Sequence, residues 1–325
     1  MNLTARIERW PVAGAFTISR GAKTHVDVVV AEVSADGFAG RGEGTPIYYH
    51  GETAETVLAQ IEGQGDALAA GLSRAELQAR LPRGAARNAL DCALWDWEAK
   101  RAGLPVWLLA GLPKPQPLTS AFTISLADPA RMEADARASA HLPLLKLKLA
   151  GEGDVERVAA VRRGAPQARL IVDANEAWTG RDVAAEAAAL LPFGVELIEQ
   201  PVRNGEDHLL DGVDSPIPLC ADESCQDRSD LARCAGRYAA INIKLDKCGG
   251  LTEALALSAD ARTVGLELMV GCMLATSLGI APAFLAGGQA KWVDLDGALL
   301  LAEDRDAPLA AEQGLLQPPT SVLWG

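Results

Sequence analysis

Five short apolar runs in this chain end on a charged residue: Lys148, Asp173, Glu199, Asp222 and Lys244, at intervals of 25, 26, 23 and 22 residues. One charge recurring per strand-plus-helix length restricts the fold more than any other feature. The first of these runs, LLKLKLA, carries a second lysine. Read as a strand, it puts Leu145, Leu147 and Leu149 on one face and Lys146 and Lys148 on the other. Alone, the segment reads as an antiparallel or edge strand with one wet face. In a parallel barrel both faces are enclosed, and two inward ammonium groups are costly unless opposite charges await them. Asp173, Glu199 and Asp222 are those charges.

Three more apolar runs, LTSAFTIS before the five and LELMVGC and KWVDLDG after them, make eight, separated by alanine-rich segments such as VERVAAVRR and DVAAEAAALL. Eight strands alternating with helices predict an α/β chain with a TIM-type (β/α) barrel; a doubly wound open sheet is the alternative. The charges favour the barrel, whose strands converge at their carboxyl ends on one mouth. Residues 1 to 114 read differently: a β-rich start, a turn-rich stretch GFAGRGEGTPIYYHGET, then helices.

A net charge of −13 argues against nucleic acid and against an anionic membrane surface, since both need concentrated positive charge. The six cysteines form no C-x-x-C pair and mostly sit in apolar or alanine-rich segments, so they read as reduced core thiols of a cytoplasmic protein. The start MNLTARIERWPVAGAF does not read as an export signal, and no run of 18 apolar residues occurs.

Three carboxylates ending adjacent strands suit a hard divalent cation, with Mg2+ favoured. Each acid taken singly also reads as a helix cap or half of a surface ion pair. Lys148 and Lys244 end the second and sixth runs, on opposite sides of an eight-strand mouth, so both can face one substrate carbon. A lysine is a useful base when its pKa falls toward roughly 7–8; desolvation, Lys146 and a metal ion would all push that way. Lys146 is also a candidate to hold a substrate carboxylate oxygen.

These motifs resemble the enolase superfamily, in its muconate-lactonizing-enzyme subgroup. Lys146-Leu-Lys148, Asp173-Ala-Asn175, Glu199-Gln200-Pro201, Asp222-Glu223-Ser224 and Asn242-Ile243-Lys244 stand where that subgroup has K-x-K, D-x-N, E-Q-P, D-E-S and N-I-K. The resemblance implies a modified (β/α)7β barrel over residues 115–298. It also implies an α+β capping domain over residues 1–114, completed by about 299–325. It further implies one Mg2+ per subunit, held by Asp173, Glu199 and Asp222, with Lys148 and Lys244 as bases either side of an enediolate. The same motifs serve several reactions. The four histidines, His25, His50, His141 and His208, end none of the assigned strands, so branches with a histidine base do not fit.

Asp294 and Asp296, two apart in WVDLDG, resemble the D-x-D that receives the substrate ammonium in dipeptide epimerases. Arg20, in the early loop FTISRGAKTH, is the candidate for a glutamate side-chain carboxylate, with Lys23 behind it. Phe16, Ile18 and Tyr48 are candidates to close the site. Thr123 and Cys272 complete the substrate-binding set. The expected reaction is exchange of L-Ala-L-Glu with L-Ala-D-Glu, in the handling of cell-wall peptides. The alternatives are an epimerase for another dipeptide, N-acylamino acid racemization, o-succinylbenzoate synthesis and cycloisomerization. The expected partner is a small-molecule dipeptide, with no nucleic acid or membrane; self-association into a homo-oligomer is left open.

Overall fold

The computed structural model of the chain describes residues 1–18 and 21–325. Its N-terminal part is an antiparallel sheet of β1 (Asn2–Ile18), β2 (Gly21–Ala35) and β3 (Phe38–Gly44). The helices α1 (Ala54–Glu62), α2 (Gly65–Ala69), α3 (Arg74–Arg80) and α4 (Ala85–Ala102) share one apolar cluster with that sheet. Capping boxes at Thr53 and Ser73 start α1 and α3. The tightest contact is between β3 and α4. Strand β3 has glycine at every second position, and α4 has alanine at every fourth. A Cβ on Gly40, Gly42 or Gly44 would lie 2.2, 2.1 or 2.2 Å from the carbonyl oxygen of Ala93, Ala89 or Ala85. The bare strand face thus lets the helix backbone rest directly on it.

Gly42→Ala is therefore expected to cost about 1–3 kcal/mol, read as a lower denaturant midpoint with an unchanged slope. Gly65→Ala, where an added methyl would meet nothing, is the control and should be neutral or stabilising. Equal behaviour of the two variants would refute this account of the contact.

After β4 (Leu118–Thr119) come the eight parallel strands: β5 (Phe122–Ile124), β6 (Leu144–Lys148), β7 (Arg169–Asp173), β8 (Val195–Glu199), β9 (Leu219–Ala221), β10 (Ala240–Ile243), β11 (Glu267–Gly271) and β12 (Trp292–Asp294). They pair in sequence order, and Ala121 N–H donates to Val293 O at 2.8 Å, bringing the two ends of the sheet together into a barrel. Leu145, Leu147 and Leu149 of the lysine-bearing run face outward into the large apolar cluster under the helices.

Eight inward residues from the eight strand positions form an apolar plug: Ala121, Leu144, Ile171, Leu197, Cys220, Ala240, Met269 and Trp292. Because strand side chains alternate, the next inward position lies two residues on. Those positions hold Thr123, Lys146, Asp173, Glu199, Asp222, Asn242, Gly271 and Asp294. The polar layer therefore rests directly on a dry floor.

Two expectations need correction. LTSAFTIS is not one barrel strand: β4 pairs instead with β14 (Leu315–Leu316), which pairs with β13 (Ala311–Glu312), and only β5 enters the barrel. Strand β12 stops at Asp294, so Asp296 is carried by the following loop. The C-terminal segment returns to the N-terminal part, where Ala13 N–H donates to Leu300 O at 2.9 Å and the Trp324 indole to Cys92 O at 3.0 Å. The six cysteines are free thiols, five of them buried. Among the described residues no helix is long and apolar enough to cross a membrane.

Candidate active site

The barrel mouth and the N-terminal part enclose a cavity of about 250 Å3. Phe16, Lys23, Tyr48 and Tyr49 line it from above, and Lys146, Lys148, Asp222, Lys244, Asp294 and Asp296 from below. Strands β6 and β10, which end at or next to Lys148 and Lys244, stand four places apart in the eight-strand order, so the two ammonium groups rise from opposite walls.

Each ammonium is paired. Lys148 Nζ lies 2.7 Å from Asp173 Oδ2, and Lys244 Nζ 2.6 Å from Asp222 Oδ2. Lys146 Nζ lies 2.6 Å from Glu199 Oε2, 2.7 Å from Asp294 Oδ2 and 3.4 Å from Asp173 Oδ2. These are the compensating charges that two inward lysines require, and all the partners are buried.

Burial raises the Asp173 carboxyl, but Lys148 and Lys146 outweigh it and bring it down to about 2. Asp222 is likewise held well below the usual range, burial being outweighed by Lys244 and Lys247. Glu199 goes the other way, to about 7, through burial and the nearby Asp173 charge. Burial and Asp294 push Asp296 to about 7. The expected fall in lysine pKa is not found at Lys244. Burial does pull it down, but Asp222 and Glu199 outweigh burial and hold the ammonium well above the ordinary lysine value. Lys146 is held high in the same way by Asp294, Glu199 and Asp173, so it serves these carboxylates first.

Asp173, Glu199 and Asp222 offer only hard oxygen donors on neighbouring strands. Glu199 Oε2 accepts no well-aligned hydrogen bond, and Asn175 Oδ1, beside Asp173, has no partner among the described residues. This chemistry fits a small divalent cation. Among the described residues, however, no three such side chains stand close enough to hold an ion as placed, and lysine ammoniums engage all three acids.

Several residues that shape the site were not singled out from the sequence. Lys247, fully buried, bonds Asp222 Oδ1 at 2.6 Å and the carbonyls of Asp222, Cys225 and Asn242 at 2.5, 2.9 and 2.8 Å. Asn242 Nδ2 donates to Glu199 Oε1 at 2.7 Å, and Gly271 leaves room for it, since a Cβ there would lie 2.7 Å from Asn242 Oδ1. Gln200 accepts from the backbone N–H of Asp222 and Ser224 at 2.7 and 3.0 Å, locking the ends of β8 and β9 together. Asn175 and Gln200, each just after a strand-end acid, have φ of 44° and 38°, a left-handed backbone that is strained outside glycine. The sequence signal was their place inside D-x-N, E-Q-P and N-I-K. For Lys247 there was only a lysine following Asp246 in a short segment with no motif attached to it.

Of the remaining predicted residues, Thr123 gives its backbone N–H to Asp296 Oδ2 at 2.7 Å, and Cys272 Sγ lies 3.3 Å from Asp294 O. Asp294 and Asp296 both face the cavity although only one is on a strand. Lys23 reaches over the Tyr48 ring, 5.9 Å from its centroid. Arg20 and the side chain of Ile18 lie outside the described residues.

Residues 130–322 match the enolase C-terminal domain-like family model, and residues 1–111 match the N-terminal domain of the mandelate racemase / muconate lactonizing enzyme family. The chain belongs to the enolase superfamily. Within the superfamily it is 44% identical to an L-Ala-D/L-Glu epimerase of Escherichia coli, with 95% of this chain and 97% of the relative covered. It is 41% identical to an N-acetyl-D-glutamate racemase of a Pseudoalteromonas species, with 92% and 95% covered. A crystal structure from Agrobacterium tumefaciens superposes with a TM-score of 0.97 at 50% identity, covering 99% of each chain. It is described as an enolase family member with homology to dipeptide epimerases, with bound sodium and L-Ala-L-Glu. Relatives of this kind make the chain an isomerase of the epimerase and racemase class.

Proposed function

We propose that this enolase-superfamily protein is a Mg2+-dependent dipeptide epimerase that interconverts L-Ala-L-Glu and L-Ala-D-Glu by proton transfer at the glutamate α-carbon. The observation that carries this reading is the opposed pair Lys148 and Lys244 across one cavity, with Asp294 and Asp296 beside it. In this reading Lys148 takes the α-proton on one face and Lys244 supplies one on the other. As Lys244 parts from Asp222 and the substrate excludes water, its ammonium loses the proton more readily and is freed to act as an amine. Asp173, Glu199 and Asp222 would hold the metal ion, which when bound favours the negative charge that builds on the substrate carboxylate. Asp294 and Asp296 receive the dipeptide ammonium, and the glutamate side chain is assigned to Arg20, with Lys23 behind it.

The same reading assigns residues 1–114 with about 299–325 to the cap and 115–298 to the barrel. Free, buried thiols suit a cytoplasmic setting.

A second reading, racemization of an N-acylated glutamate, is favoured by a specific pairing. Asp294 is already met by Lys146 at 2.7 Å, and Asp296 sits near 7, so the two acids carry less free charge toward an ammonium than their number suggests.

The test is α-deuterium incorporation in D2O from L-Ala-L-Glu, L-Ala-L-Leu, N-acetyl-L-Glu and N-succinylamino acids, with Mg2+ and after chelation. The expected outcome is Mg2+-dependent labelling of L-Ala-L-Glu with appearance of its D-Glu epimer, lost on chelation and restored by Mg2+. Labelling confined to the N-acyl compounds would replace the dipeptide reading with the second one.

A further inference from the structure

The Tyr49 hydroxyl is buried at the cavity wall and has no hydrogen-bond partner among the described residues. Its ring cannot readily swing away. It meets the Tyr48 ring edge-on at 5.1 Å and the His50 ring at 5.0 Å, and His50 Nε2 is in turn 2.5 Å from Gln226 Oε1 of the barrel. A buried hydroxyl without a partner is costly, and a polar ligand atom removes that cost. Burial keeps the phenol protonated, so it is a neutral donor.

The substrate group that meets it follows from the four bonds of the reacting carbon, and this step rests on the function proposed above. One bond is to hydrogen, on the line between Lys148 and Lys244. One leads to the carboxylate, toward Asp173, Glu199 and Asp222. One leads to the peptide nitrogen, toward Asp294 and Asp296. The side chain is left with the direction of the cap, where Phe16, Lys23, Tyr48 and Tyr49 wait. We propose that Tyr49 is a specificity residue whose hydroxyl donates a hydrogen bond to the side-chain carboxylate of the epimerised glutamate, alongside Lys23. Asp222 and Glu223 both lie near Tyr49; Lys244 and Lys247 neutralise Asp222, and Lys23 on the same cavity supplies a cation for an anion there. An apolar side chain in the same place would leave the hydroxyl unsatisfied, and a site of this kind discriminates strongly against such a substrate.

Tyr49→Phe removes only the oxygen. The ratio of kcat/KM for L-Ala-L-Glu to that for L-Ala-L-Leu, both read by α-deuterium exchange, is expected to fall by about 10- to 100-fold. The loss on the glutamyl substrate should appear mainly in KM, since a hydrogen bond to the unreacting side chain holds the ground state and the transition state alike. The variant should melt no lower than the parent, because the oxygen it lacks bonds none of the described residues. An unchanged ratio would overturn the proposal, whether both substrates weaken alike or neither does, and so would a clear loss of thermal stability. The wild-type assay separates the two ideas: without turnover of any glutamyl substrate the functional reading fails, whereas with it the ratio in Tyr49→Phe judges Tyr49 alone.

Discussion

Lys148→Ala and Lys244→Ala are each expected to lower epimerization by about 10^2- to 10^4-fold, while each retains α-proton exchange on one epimer only. The asymmetry follows from the opposed walls. In the proposed mechanism a proton on one face of the α-carbon would meet Lys148, the last residue of β6, and a proton on the other face Lys244, just after β10. Removing one base leaves the other able to take a proton from its own face and return a deuteron there.

Both variants should fold, because neither leaves a carboxylate without a cation. Asp173 keeps Lys146 at 3.4 Å, and Asp222 keeps Lys247 at 2.6 Å. The measurement is deuterium exchange from each pure epimer by mass spectrometry, beside a chiral assay for inversion. Full inversion in both variants, or exchange of both epimers by either, would remove these lysines from the base role.

Lys247→Met is expected to produce the largest loss of stability, about 3–5 kcal/mol in chemical denaturation. Lys247 lies behind Asp222 rather than on the cavity wall, and its ammonium satisfies three backbone carbonyls as well as the carboxylate. Methionine preserves much of the volume but none of the donors, so three buried carbonyls and the Asp222 carboxylate each lose a bond, the Asp222 carbonyl keeping the Cys225 N–H and its carboxylate keeping Lys244. A loss below about 1 kcal/mol would mean that water or a rearranged Lys244 replaces it. Lys244→Ala is the contrast: two lysines meet one aspartate, one proposed to serve the substrate and one holding the fold.

The charges at the strand ends were legible because they are a local, periodic property. A strand lasts about five residues, a βα unit about twenty-five, and side chains on a strand alternate, so the spacing of Lys148, Asp173, Glu199, Asp222 and Lys244 alone implies one mouth with mixed charge. The inward direction of Lys146 and Lys148 was legible for the same reason. FAGRGEG reads in the sequence as part of a turn-rich stretch, yet it is strand β3, and only the approach of α4 to within 2.1 Å of where a Gly42 side chain would begin explains its glycines.

What the tertiary structure decided depends on distances across the barrel. Which ammonium pairs with which acid is set by strand stagger and side-chain reach, so Lys146 binds Glu199 and Asp294 instead of standing free for substrate. The pKa directions follow from those pairings: burial alone predicts a lowered Lys244, whereas the contacts with Asp222 and Glu199 raise it. The early loss of β4 to another sheet and the placing of Asp296 beyond β12 depend on the C-terminal hairpin and on barrel closure, neither of which is written in the alternation of a single run. The sequence by itself determined the fold class, the set of charged groups at the mouth and the family. Electrostatic energy varies with separation in space, and that separation is defined only once eight strands have closed into a ring.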